Sequence, residues 1–180
     1  FTVACGLEAG KLTGNETYFC NGIYEVSDKK IKCHNYKYGG CGTLNVKQAV
    51  EQSCNVALMQ MGLSIGKDLF LKYQESYNFG LKTNIDLAGE TRTNTVVFNT
   101  NSMGPVELAS SSFGQGFNVS MIQMITGFCS LINGGYYYEP HVVKKIVSSN
   151  GATIENIEPR VLRRTISAST SNTIIDYCNG

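Results

Sequence analysis

Residues 11–44 set the first limit on how this chain can fold. They show no helical period and are rich in Gly, Asn, Tyr, Cys and Lys. An irregular excursion of that length is uncommon inside a compact domain unless something ties it down. Three cysteines fall within it, Cys20, Cys33 and Cys41, and Cys54 follows, with 12, 7 and 12 residues between successive members. That spacing matches no standard zinc finger. Four thiolates around one Zn²⁺ would nonetheless staple the excursion, because binding energy at such a site becomes folding energy. All-thiolate ligation favours zinc over Mg²⁺ or Ca²⁺.

The flanking sequence is more regular. Residues 2–9 carry Val3, Ala4 and Leu7 on one helical face and stop at Gly10. Asn45 is placed to cap a helix over 46–52, and Asn55 a second over 56–62. Leu69, Phe70, Tyr73 and Tyr77 give a helix over 67–77, and Pro105 opens another through Ser111. Residues 80–104 read as loop. Residues 121–132 are apolar nearly all round, with Met121, Ile125, Phe128 and Ile132 in line, a pattern that predicts a central, buried helix. Asn150-Gly151 marks a hairpin turn, and Ser169 or Thr170 opens a last helix. This order predicts a single α+β domain.

Composition narrows function. Net charge is +1 with no basic stripe, which argues against nucleic acid as the main partner. The apolar runs fall far short of a membrane span. The chain opens mid-pattern on Phe1 without Met, as a fragment of a longer protein does. Cys5, Cys129 and Cys178 lie on apolar stretches and are expected to be small buried hydrophobes. His141 is expected to be exposed or capped, and Tyr136 to Tyr138 to pack at a strand entry. Ser53-Cys54-Asn55 joins two helices, where three residues alone suggest a capping pair.

Longer stretches change that reading. "GTLNVKQAVEQSCNVALMQMGLSIG", "NFGLKTNIDLAGE" and "ASSSFGQGFNVSMIQMITGFCSLINGGYYYEPHVVKKI" together resemble the transpeptidase domain of class B penicillin-binding proteins. The family signature is Ser-x-x-Lys, then Ser-x-Asn, then Lys-Thr-Gly. The resemblance spans essentially the whole chain and makes Ser53-Cys54-Asn55 the middle motif. It places the Ser-x-x-Lys nucleophile just before Phe1 and Lys-Thr-Gly just after Gly180. Lys82-Thr83-Asn84 lacks the glycine and lies in the wrong place. The chain alone is therefore expected to form no acyl-enzyme.

The resemblance implies a peptidoglycan D,D-transpeptidase on the extracytoplasmic face of a bacterial membrane. Ser53 would pass a proton and Asn55 would bond the substrate amide. Stem peptides and β-lactams would enter the same site, and a SEDS-type glycosyltransferase would be the partner. An elongation or a sporulation-specific member both fit. Some relatives bind zinc through this region, at positions corresponding to Cys20, Cys33, Cys41 and Cys54. The thirteen-residue step from Cys41 to Cys54 matches that from the family's Gly-His-Gly histidine to the middle of Ser-x-Asn. Two disulfides, a Cys₃His site using His34 instead of Cys33, and unpaired thiols are the alternatives at the cluster. A non-catalytic zinc-stapled binding module and a serine β-lactamase are the alternatives for function.

Overall fold

The computed structural model describes residues 1–179. Helix α1 (Thr2–Glu8) is followed by four short strands, β1 (Thr17–Cys20), β2 (Ile23–Val26), β3 (Lys29–Lys32) and β4 (Gly42–Asn45). Helices α2 (Val46–Glu51), α3 (Asn55–Ile65) and α4 (Lys67–Ser76) come next. After a loop come α5 (Pro105–Ser112) and α6 (Met121–Ile132). Strands β5 (Tyr136–Tyr138), β6 (Lys145–Val147), β7 (Thr153–Asn156) and β8 (Val161–Arg164) lead to α7 (Ala168–Cys178). The α+β expectation holds, with helices in the centre and four separate two-stranded antiparallel ladders, β1–β4, β2–β3, β5–β8 and β6–β7. Among the described residues no helix is long and apolar enough to cross a membrane.

The core is built where α1, α3 and α5 meet. Val3, Ala4, Val56, Met59, Met61 and Ala109 are all but removed from water there. Gly62 sets how closely α3 and α5 approach: a Cβ on it would sit 1.7 Å from Ser112 Oγ. Helix α7 is tied to α1 by one carboxylate. Glu8 accepts from Ser167 N at 2.9 Å, Ser167 Oγ at 2.8 Å and Thr170 Oγ1 at 2.6 Å. It thus receives donors at the helix N-terminus, where a negative charge is favoured. Burial raises the Glu8 pKa, but the Thr170 and Ser167 donors outweigh it and hold the carboxyl below its ordinary value.

Asn45 caps α2 as expected and forms a capping box with Gln48. The last helix begins at Ala168, one residue before Ser169, with Ser167 as its cap. Helix α6 faces opposite to its apolar pattern. Met121, Ile125, Phe128 and Ile132 are exposed, while Gln123, Thr126, Gly127 and Ser130 are buried. Gln123 lies on the buried face. Its amide donates to Leu81 O and accepts from Thr93 Oγ1 at 3.1 Å and Ser120 N at 3.0 Å, so it must face the 80–104 loop. Two cysteines also depart from expectation: Cys5 is buried, but Cys129 and Cys178 are exposed. His141 is half-buried with its Nδ1 2.9 Å from Val143 O, and Tyr137 is the packed member of its tyrosine run.

Candidate functional site

The turn that carries Ser53, Cys54 and Asn55 is a helix C-terminal motif with an unusual occupant. Ser53 N donates to Val50 O and Cys54 N to Ala49 O, each at 3.0 Å, the paired bonds of a Schellman stop to α2. The residue between them must be left-handed, and Ser53 has φ +48°. Glycine is the usual residue there, because an L side chain in that region costs about 1–2 kcal/mol. Ser53 is exposed there, and Ser27, in the turn between β2 and β3, adopts the same conformation with φ +54°.

Asn55 is the first residue of α3, and Cys54 is its cap. The expected Asn55 cap is therefore absent, and the amide does other work: Nδ2 donates to Lys32 O at 3.2 Å, at the end of β3. Ser53 lines a cleft of about 380 Å³ with Val50, Leu58, Phe113, Gly114 and Phe117. Gln74, Tyr77 and Ser111 line the same cleft, and their side-chain polar atoms are buried without a partner among the described residues.

Cys54 turns the other way and is fully buried. Its sulfur joins those of Cys20, Cys33 and Cys41, and all four lie within 4.8 Å of one another. Cys33 Sγ is 3.8 Å from Cys41 Sγ and 3.9 Å from Cys54 Sγ. Tetrahedral ligands at about 2.3 Å from a zinc lie about 3.8 Å apart, so the spacing fits that geometry. The four donors fit a closed, soft-ligand metal site. His34 Nδ1 is 3.5 Å from Cys33 Sγ, but its exposed ring is not one of the converging donors. Burial opposes a Cys33 thiolate, yet the N–H groups of Asn35, Asn55 and Val56, with the Cys41 thiol, bring it down to about 6. Two of those donors are the first N–H groups of α3, which favour a thiolate. Burial pushes Cys41 up to about 11 and raises Cys54 as well.

Other candidate motifs do not reach this turn. As a string, Ser-x-x-Lys occurs at Ser27–Lys30 and at Ser64–Lys67. A serine and a lysine three apart share a face only on a continuous helix. Ser27 sits in the turn between β2 and β3. Ser64 is at the end of α3 with its hydroxyl on Met61 O, and Gly66 breaks the helix before Lys67. Lys82-Thr83-Asn84 is loop. Glu90 accepts from Thr83 N and Thr83 Oγ1, each at 2.6 Å, and from Asn84 N at 2.9 Å. Glu90 is thus a loop clamp, a role that its place in "AGE" did not signal.

Comparison with known proteins agrees with this arrangement. The family described as "Penicillin binding protein transpeptidase domain" matches residues 1–177. Stage V sporulation protein D of Bacillus subtilis is 33% identical over 175 residues, covering 96% of this chain and 26% of that protein. Peptidoglycan D,D-transpeptidase MrdA of Escherichia coli is 25% identical over 174 residues, covering 88% of this chain and 26% of that protein. The structure of penicillin binding protein 3 of Mycobacterium tuberculosis, complexed with aztreonam, superposes with a TM-score of 0.84 at 19% identity, covering 98% of this chain and 38% of that one. The chain spans about a quarter of the length of these curated relatives. It belongs to the penicillin-binding protein transpeptidase domain family.

Proposed function

We propose that this chain is the central part of a serine-type peptidoglycan D,D-transpeptidase. The observation that carries the reading is the strained Ser53 turn, which offers a hydroxyl to the cleft while its neighbour Cys54 anchors in the cysteine cluster. In this reading the nucleophile, a serine of a Ser-x-x-Lys helix, lies outside residues 1–180, and so does Lys-Thr-Gly. The Ser53 hydroxyl passes a proton to the departing D-Ala amine. The Asn55 carboxamide, steadied by Lys32 O, binds the stem-peptide amide through its remaining acceptor. Both act by presenting polar groups already in place. Peptidoglycan stem peptides are the substrates and β-lactams the trapped analogues, at the extracytoplasmic face of the membrane, with a SEDS-type glycosyltransferase as partner.

Cys20, Cys33, Cys41 and Cys54 would hold a structural Zn²⁺, which supplies folding energy and no chemistry. The helix N–H groups around Cys33 support ligation by thiolates over a neutral thiol cluster.

Two measurements test this. Metal analysis of the purified full-length protein should give one zinc per chain, lost in Cys54→Ser. Absence of zinc, with four thiols recovered only after reduction, would instead establish the disulfides. Ser53→Gly should relieve the left-handed strain and raise stability by about 1 kcal/mol, while slowing penicillin acylation. Ser53→Ala should slow acylation equally without the stability gain. Unchanged acylation in both variants would remove Ser53 from the mechanism.

A further inference from the structure

The outward face of the β2–β3 ladder is a charged surface that the transpeptidase reading does not use. Its register pairs Ile23 with Lys32, Tyr24 with Ile31, Glu25 with Lys30 and Val26 with Lys29. Side chains alternate along a strand, so Ile23, Glu25, Lys30 and Lys32 share one face. All four are exposed, whereas Tyr24, Val26 and Ile31 turn inward. Beyond Lys32 the chain passes through Cys33 and His34 into a short 3₁₀ turn, Tyr36–Tyr38. Lys32 Nζ lies 4.5 Å from the centre of the Tyr36 ring, which holds the ammonium over an aromatic surface. Tyr38 is 85% exposed.

Residues 29–38 hold four lysines, Lys29, Lys30, Lys32 and Lys37, one histidine and no carboxylate. Glu25 lies opposite Lys30, and Asp28 is 3.8 Å from Lys29 in an exposed pair. Such a pair is worth little and leaves the lysines able to exchange partners. The face also has a fixed place relative to the candidate site, since the Lys32 carbonyl is the acceptor for Asn55 Nδ2. A molecule lying across these lysines is therefore one residue from the Ser-x-Asn turn.

We infer that this face, Lys30 and Lys32 with the Lys37-bearing Tyr36–Tyr38 turn, docks the carboxylate-bearing stem peptides of a peptidoglycan strand beside the site. The inference rests on the transpeptidase reading, which brings peptidoglycan here, and adds a surface that recognises its charge. Stem peptides carry free carboxylates that complement the lysines, and the exposed tyrosines offer flat surfaces to the sugar and peptide backbone. Attraction of this kind accelerates encounter and weakens with salt.

The test uses the full-length protein with Lys30→Glu and Lys37→Glu combined. Lys32 is kept because its carbonyl holds Asn55. Co-sedimentation with purified sacculi at low salt should weaken on the order of tenfold, and the salt dependence of the parent protein should largely disappear. The double Lys→Gln variant should weaken binding less, and thermal unfolding of both sets loss of charge apart from loss of fold. Unchanged sacculus binding by a folded Glu variant overturns the proposal. So does a result in which the lysines govern binding to anionic lipid vesicles and not to sacculi. Penicillin acylation of the same preparations separates the two readings. A parent protein that takes no penicillin refutes the transpeptidase, whereas intact acylation with lost sacculus binding isolates the docking face.

Discussion

The chain contains two excursions from its helical core, and they are secured by opposite means. The first, β1 to β4, returns to the core through buried side chains: Cys20, Val26, Cys33 and Leu44 are each at most 5% exposed. The second, β5 to β8, ends in a tip where every residue of β6 and β7 is exposed. Its base is attached by Tyr137 and Ile166, and by Arg163, which donates to Ser76 O at 2.8 Å and lies 4.2 Å over the Tyr137 ring. Its tip is held by Asp86, whose two oxygens accept from Val142 N at 2.8 Å and Val143 N at 2.9 Å. One excursion thus converges on a buried cluster of four cysteines, whereas the outer part of the other is held by a single solvated carboxylate. Stability should be distributed accordingly, with the second opening locally far more easily.

The largest expected effect comes from removing the staple. Cys33→Ser should abolish metal binding and, with it, hydrogen-exchange protection across 17–45, while exchange at β6 and β7 stays as it was. The scale is set by structural zinc, whose binding contributes about 10 kcal/mol or more to small zinc peptides at neutral pH. If protection survives the substitution, burial of Val26 and Leu44 with the two ladders suffices, and the contrast between the excursions loses its cause.

Next in size is the joint at the base of the second excursion. Gly135 has φ +94°, and a Cβ there would lie 1.9 Å from Ile166 O, a backbone atom. Gly135→Ala combines an unfavourable backbone with a contact that cannot be relieved by side-chain rotation. A loss of about 3 kcal/mol in thermal or denaturant unfolding is expected. A near-neutral result would show that even the base is loosely held.

Much of this contrast was legible in the sequence. The lack of helical period over 11–44 pointed to an excursion of short elements, and Asn150-Gly151 to a hairpin. What the sequence hid were contacts that one long-range partner decides. Asn55 read as a helix cap because Asn is a good one, yet Cys54 takes that place and Asn55 reaches Lys32 O. The apolar stripe of α6 read as buried, but the buried face is the one carrying Gln123, which bonds to Leu81 and Thr93. Cys129 and Cys178 lie on apolar stretches and are nevertheless exposed. Asp86 is of the same kind, since nothing local in "NIDLAGE" announces a partner more than fifty residues away.

The smallest expected effect therefore falls on Asp86 and sharpens the comparison most. The Val142 and Val143 N–H groups hold its carboxyl below the ordinary aspartate value, and His141 adds to the effect. With the folded pKa lower than the unfolded one, the contribution to stability is fully present above the ordinary aspartate range. It is lost as pH falls through the folded value. Because the group is fully solvated, the effect should appear in the tip and hardly at all in global unfolding. Amide exchange at Val142 and Val143, corrected for its intrinsic pH dependence, should accelerate below the ordinary aspartate range. Asp86→Asn, which leaves one side-chain acceptor for two donors, should accelerate it at neutral pH while the midpoint of unfolding stays put. If the midpoint shifted as much as the local exchange, the tip would unfold with the core. The second excursion would then be as firmly integrated as the first, without any staple.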